Sequence, residues 1–123
     1  MQPTNNRPPL ETSNEASAIA NPEEALVNEL EEIKRNAIRV LTLQAACYAA
    51  KQQYRNELRD GWMLINIASE DPAGYLCVGR RYAAQGRHQR ALNVFSKGLE
   101  SVPMSHSDYP CLLQGKMHAQ QSL

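Results

Sequence analysis

The chain has 123 residues, and its 13 Lys and Arg side chains balance its 13 Asp and Glu side chains, so the formal net charge is zero. This length suits one domain, and balanced charge gives no chain-wide field that attracts nucleic acid or an acidic membrane. The longest apolar stretch, residues 45–50, is far shorter than the roughly 20 residues of a membrane-spanning helix. We therefore expect no nucleic acid and no membrane as partners.

The three cysteines, Cys47, Cys77 and Cys111, are an odd number, are widely separated, and follow no secretory signal. This usage favours a reducing compartment, the cytoplasm or the nucleus. Because no two of them form a CxxC pair and no HExxH pair or phosphate-binding glycine loop occurs, we expect no metal and no cofactor.

Residues 1–20 are rich in Pro, Asn, Ser and Thr and contain no aromatic residue. Such a segment buries too little surface to offset the entropy of ordering, so we expect a disordered tail. Residues 21–121 are expected to form a helical domain.

A first helix is predicted to begin at Asn21, which can cap it, with Pro22 at its first position and two acidic residues behind. We expect it to run to about residue 52, with a break near Asn36. Seven residues, apolar or small except for Gln44, alternate at spacings of four and three, which is typical of one helical face: Leu26, Leu30, Ile33, Ala37, Val40, Gln44 and Cys47.

Four further helices are predicted, over residues 54–68, 72–85, 87–101 and 107–120. Asp71 can cap the second of these, Pro72 suits its first turn, and Gly86 suits a left-handed end. Pro103 ends the third. No stretch shows a convincing two-residue alternation, so the fold class is predicted to be all-α.

Helix pairs joined by short turns invite a search for an internal period. Residues 72–103 carry aromatic, large apolar and small residues in the spacing of a tetratricopeptide (TPR) repeat, with Gly98 where Ala is usual. The matching positions are Tyr75, Val78, Gly79, Tyr82, Gly86, Ala91, Phe95, Gly98 and Pro103. This segment therefore resembles a TPR repeat.

About 34 residues before this repeat, the segment from about residue 38 to residue 70 resembles a degenerate repeat, with Glu57 at a position where Ala is usual. Residues of about 107–120 are expected to be a capping helix. The resemblance implies antiparallel helix pairs that form a short right-handed superhelical array.

The segments AACY, LRDGW, GYL and GLESVP lie within residues 40–103. This region resembles the N-terminal TPR region of fungal F-box proteins, which are substrate receptors of cullin-RING ubiquitin ligases. Residues 104–123 hold no counterpart of the F-box that docks the ligase adaptor. The resemblance implies an interaction module of a ubiquitin ligase complex, a relative that kept only the interaction half, or a truncated, non-functional paralogue.

TPR arrays bind partners on a concave face lined by the first helix of each pair, and the resemblance assigns seven residues to that face. Among them Arg39 and Arg80 carry positive charge, so an acidic anchor in the partner is expected. The assigned residues are Arg39, Thr42, Ala46, Ala49, Leu76, Arg80 and Ala83.

The sequence shows no nucleophilic side chain paired with a general base, so we expect no catalytic residue and no enzyme. His88, His106 and His118 fall at predicted turns or a polar end, where solvated surface is expected. The function predicted is a TPR adaptor or scaffold. A helical regulatory subunit that forms a homodimer is the alternative, because fewer than three full repeats is marginal for a free array.

Overall fold

The computed structural model describes residues 21–123, and this part of the chain contains five helices and no strand. The predicted all-α class is confirmed. The predicted disordered tail, residues 1–20, lies outside the described residues. No helix among those described is both long and apolar enough to cross a membrane. The helices are α1 (Pro22–Ala50), α2 (Tyr54–Ile67), α3 (Pro72–Ala84), α4 (His88–Ser101) and α5 (Tyr109–Gln121).

The chain divides into two units, Met1–Arg35 and Asn36–Leu123. Helix α1 begins in the first unit, as the Asn21 and Pro22 signals predicted, and ends in the second. The break expected near Asn36 does not occur. The Asn36 side-chain oxygen instead accepts a hydrogen bond from Arg39 Nη2 at 3.2 Å, within a helix that continues through this position.

Local signals set the ends of α3. Asp71 Oδ1 accepts a hydrogen bond from the backbone N–H of Ala73 at 2.9 Å, and Pro72 occupies the first turn. After the last residue of α3, Gly86 adopts φ +77°, a left-handed conformation that a residue without Cβ adopts easily. Both ends were predicted from these residues.

Helix α1 ends in the same manner as α3. Gln52 takes a positive φ of 60°, and the next backbone N–H, of Gln53, donates to Tyr48 O at 2.8 Å. At the end of α3 the N–H of Arg87 donates to Tyr82 O, also at 2.8 Å. This six-to-one hydrogen bond is the mark of a Schellman motif, and here it closes the first helix of each successive pair.

The helix boundaries of the two pairs also recur at one spacing. Helices α1 and α3 end at residues 50 and 84, α2 and α4 begin at residues 54 and 88, and they end at residues 67 and 101. Each difference is about 34 residues, the TPR period.

In the second unit α3 contacts α2, α4 and α5, and α4 also contacts α5. Among the positions that match the repeat, Tyr75, Val78, Ala91 and Phe95 are buried, while Tyr82 is half-buried and packs against the core, as Leu99 does. The buried cluster consists of Ile65, Tyr75, Leu76, Val78, Ala91, Val94, Phe95, Val102, Leu112 and Ala119.

Glycines let these helices approach one another closely. A Cβ on Gly98 would lie 2.9 Å from Tyr75 Cβ, which explains why Gly replaces the usual Ala there. A Cβ on Gly79 would lie 2.5 Å from Phe95 Cε1, and one on Gly115 would lie 2.6 Å from Phe95 Cζ. The Phe95 ring therefore rests against the backbones of both α3 and α5.

A buried ion pair joins α2 to α3. Arg81 Nε donates to Glu57 Oε1 at 2.7 Å, and the guanidinium lies 4.0 Å from the centre of the Tyr54 ring. Glu57 is buried. A glutamate stands at the position where the repeat pattern expects Ala because this carboxylate pairs with Arg81.

Candidate functional site

The candidate site is a cleft of about 330 Å³ between α3 and α5. Helix α4 supplies its floor through Phe95, whose ring is almost fully buried. Helices α3 and α5 supply the walls. The lining residues are Arg80, Ala83, Phe95, Cys111, Gln114, Gly115 and His118.

The cleft exists because small residues line the seam between the two wall helices. Because Gly79 and Gly115 have no side chain, the Phe95 ring can pack against both helices beneath the cleft. On α3, the short side chain of Ala83 leaves space in the cleft. A larger side chain at Ala83 or Gly115, which both line the cleft, would fill part of the space. The packing that brings α3 and α5 together thus also shapes the opening between them.

The walls of the cleft carry positive charge and no negative charge. Neither α3 nor α5 contains an Asp or a Glu. Arg80 is exposed and has no hydrogen-bond or ion-pair partner among the described residues, whereas its neighbour Arg81 is held by Glu57. The Arg80 guanidinium is therefore available to an anionic ligand.

The cleft opens onto an exposed apolar face of α5. Leu113 is 44 % exposed and Met117 is 52 % exposed. Gln114 and His118 lie both in the cleft and beside this face. A ligand that reaches Arg80 can therefore extend over apolar surface on the same helix.

Two of the seven residues assigned to the concave face, Arg80 and Ala83, line this cleft. The assignment of Leu76 is corrected, because its side chain is only 8 % exposed and belongs to the core. Its helix is contacted by three others, which leaves little of the α3 surface free.

The remaining four assigned residues lie on α1 and outside the cleft. Arg39, Thr42 and Ala46 are exposed, and Ala49 is half-buried. The Arg39 guanidinium donates to Asn36 of the same helix.

The α5 residues of the cleft were missed because this helix was treated as a cap. One signal could have found them, since a shift of Arg80 by one repeat falls on Gln114 and a shift of Cys77 falls on Cys111. The absence of acidic residues from both helices was a second signal.

Two of the three histidines are less exposed than predicted. His106 is half-buried, and its Nδ1 accepts a hydrogen bond from the Asp108 backbone N–H at 3.0 Å, just before α5. His88 is half-buried, with a buried Nδ1 that has no hydrogen-bond partner among the described residues. His118 is exposed in the cleft, which is the one position of the three that can meet a ligand. The described residues hold no cluster of His, Cys, Asp and Glu able to bind a metal.

Cys77 is a half-buried thiol on α3, with its Sγ 3.8 Å from the carbonyl oxygen of Glu57. The pKa of this thiol is raised from 9.0 to about 11, chiefly by burial and also by the carboxylates of Glu57 and Asp60, while Arg81 acts in the opposite direction. The thiol is therefore protonated at neutral pH, and the thiolate needed for nucleophilic chemistry is scarce.

Comparison of the chain with protein-family models, with curated proteins and with solved structures finds no match.

Proposed function

We propose that this chain is a protein-interaction module of the tetratricopeptide type that binds an acidic segment of another polypeptide in the cleft between α3 and α5. The observation that carries the proposal is Arg80, an unpaired cation in a cleft whose wall helices contain no carboxylate. A concave site with few, well-placed polar groups is the usual form of a ligand site.

The recurrence of helix ends supports the tetratricopeptide part of the proposal. Three boundaries repeat at about 34 residues, and the first helix of each pair closes with the same six-to-one hydrogen bond. The contact between α3 and α5 also fits an array in which the first helices of successive repeats are neighbours.

The chemistry of the cleft defines the segment that it suits. The planar guanidinium of Arg80 can donate two parallel N–H hydrogen bonds to one carboxylate. Gln114 and His118 carry side chains able to exchange hydrogen bonds with a peptide backbone. Leu113 and Met117 offer apolar surface for a neighbouring side chain. The preferred ligand is an acidic residue flanked by apolar ones.

The resemblance to F-box receptors suggests that the bound segment belongs to a substrate of a ubiquitin ligase. That identity stays a prediction, as does a location in the cytoplasm or nucleus. The α3–α5 cleft supports the binding of a polypeptide and is compatible with either kind of partner, a ligase substrate or a component of another assembly.

An array of immobilised peptides that combine acidic and apolar residues tests the proposal, with affinities of the best binders measured by fluorescence anisotropy. A charge-assisted hydrogen bond from Arg80 contributes about 1.5 to 3 kcal/mol, so Arg80→Ala should weaken binding about tenfold to a hundredfold. Arg87→Ala is the matched control, because Arg87 is exposed and lies outside the cleft.

A second pair of variants tests the position of the site without removing an arginine. Ala83→Glu places a carboxylate inside the cleft, whereas Ala84→Glu places one on the next, exposed residue of α3. Only the first should repel the acidic segment and occupy the cleft. Equal binding by both variants, together with equal binding by Arg80→Ala and Arg87→Ala, would remove the cleft as the site.

A further inference from the structure

Helix α1 carries an apolar stripe that the described residues leave open. Leu26, Leu30, Ile33 and Val40 are each between 57 % and 61 % exposed. Soluble helices normally bury such a stripe against a partner, so the exposed positions indicate an interaction surface.

The stripe has the spacing of a two-stranded coiled coil. Its residues alternate at four and three along Leu26, Leu30, Ile33, Ala37 and Val40, which are d and a positions of a heptad. The same alternation continues at residues 44 and 47, which are both exposed. The outward b, c and f positions of the first two heptads are mostly polar, as a coiled coil requires: Glu24, Ala25, Asn28, Glu31, Glu32 and Arg35.

Charges beside the stripe distinguish the kind of partner. Glu29 occupies a g position, and Lys34 occupies the e position five residues later. In a parallel coiled coil a g residue lies opposite the e residue of the following heptad on the other helix. Two copies of this helix in register would therefore form a Glu29 to Lys34 ion pair on each side of the seam.

We infer that α1 pairs with α1 of a second copy of this chain as a parallel, in-register coiled coil. An antiparallel pair would set g against g and e against e. Glu29 would then lie opposite another g residue and could not meet Lys34, so the complementary charges favour the parallel arrangement.

Within one chain Lys34 Nζ lies 3.6 Å from Glu31 Oε1, an ion pair between residues three apart on the helix. Lys34 also has a further interaction within the chain, and its ammonium group has three N–H donors, so a bond to Glu29 of the second copy can be added to its existing contacts. The intermolecular pair therefore requires no loss of the intrahelical one.

Light scattering and sedimentation of the full chain over a range of concentrations measure the association directly. The wild-type chain should approach twice its 13.8 kDa mass as concentration rises. Leu30→Glu places a carboxylate in the seam and should leave a monomer at the same concentrations. Asn28→Glu adds the same carboxylate at an outward f position of the same helix and should dimerise like the wild type.

A mixing experiment tests the parallel register. Glu29→Lys alone and Lys34→Glu alone each set like charges opposite one another in a dimer, so each variant should dimerise more weakly than the wild type. An equimolar mixture restores two opposite-charge pairs, and its mixed dimer should bind about tenfold more tightly than either variant does with itself. Circular dichroism of each variant checks that the helices are intact.

A chain that stays monomeric at all concentrations overturns the inference and leaves the stripe to another polypeptide or to the preceding residues of the chain. A dimer that Leu30→Glu does not disturb overturns it as well, because the seam would then lie elsewhere. A third outcome rules out the parallel register. In it, Leu30→Glu abolishes the dimer, but the mixture of Glu29→Lys and Lys34→Glu dimerises no more tightly than either variant alone.

Discussion

Replacement of Phe95 by Ala tests the packing that builds the cleft. The side chain is 2 % exposed, and its ring meets the positions of Gly79 on α3 and Gly115 on α5. Phe to Ala changes in cores cost about 3 to 5 kcal/mol, from lost burial and from the cavity that remains. We expect a cost in this range, because helix backbones on two sides of the ring limit the collapse of the cavity. Such a loss is a large part of the 5 to 15 kcal/mol that is typical of a folded domain.

Urea unfolding followed by Trp62 fluorescence measures this cost. Trp62 is the single tryptophan and lines the same small cavity as Tyr75 and Val94, so its emission reports on the core. At an m value of about 1.5 kcal/mol/M, the midpoint should fall by about 2 M or more. Leu113→Ala is the control, since Leu113 is 44 % exposed on α5 and should cost about 0.5 kcal/mol or less.

The same variant changes the effect of Gly79→Ala. In the wild type the new methyl group would lie 2.5 Å from the Phe95 ring, so overpacking should cost about 1 to 3 kcal/mol before any gain in helix propensity. In the Phe95→Ala background the cavity accepts the methyl group. The two changes should therefore couple by about 1 kcal/mol or more in a double-mutant cycle. A loss below about 1 kcal/mol for Phe95→Ala, or purely additive effects, would refute the packing described for this ring.

Two further predictions concern the contact between α2 and α3. Arg81→Ala leaves the buried carboxylate of Glu57 unpaired and should cost about 3 kcal/mol in urea unfolding, whereas a similar stability for wild type and variant would show that the pair contributes nothing. Cys77 should react with iodoacetamide at pH 8 about a hundredfold more slowly in the folded chain than in the unfolded chain, because a pKa of about 11 in place of 9.0 lowers the thiolate fraction. The folded state holds the thiol proton more tightly, so its contribution to stability is complete below pH 9 and is lost between pH 9 and 11. Cys77→Ala should show less loss of stability over that interval than the wild type.

The ends of the helices were predictable because the signals are local. Asp71 and Pro72 start α3 through a side-chain cap and a preset φ, and Gly86 ends it through a left-handed conformation. The buried positions of Tyr75 and Phe95 followed from the repeat spacing, which encodes how the helices of one pair face each other. None of these features depends on residues far away in the sequence.

The cleft and the ion pair of α2 with α3 could not be predicted in the same way, because both depend on contacts between residues that are more than 20 positions apart in the sequence. Glu57 looked like a defect in a degenerate repeat, and only the position of Arg81 on the next helix explains it. Leu76 was assigned to an open face, since the periodicity of α3 alone does not show that α2, α4 and α5 all contact that helix. The role of Gln114 required knowing that α5 lies beside α3.

The net charge of zero also gave no indication that the cleft is positively charged, because acidic and basic residues are distributed unevenly among the helices. Helix α1 carries acidic residues in its first turn, whereas α3 and α5 carry none along their whole length. At physiological ionic strength charges act over about 8 Å, so a ligand in the cleft responds to the residues around it and hardly to the total. Arg80 has no ion-pair partner among the described residues, and neither α3 nor α5 contains a carboxylate. If the proposed site is correct, the walls of the cleft decide which partner binds, and a chain that is neutral overall can still bind an acidic segment.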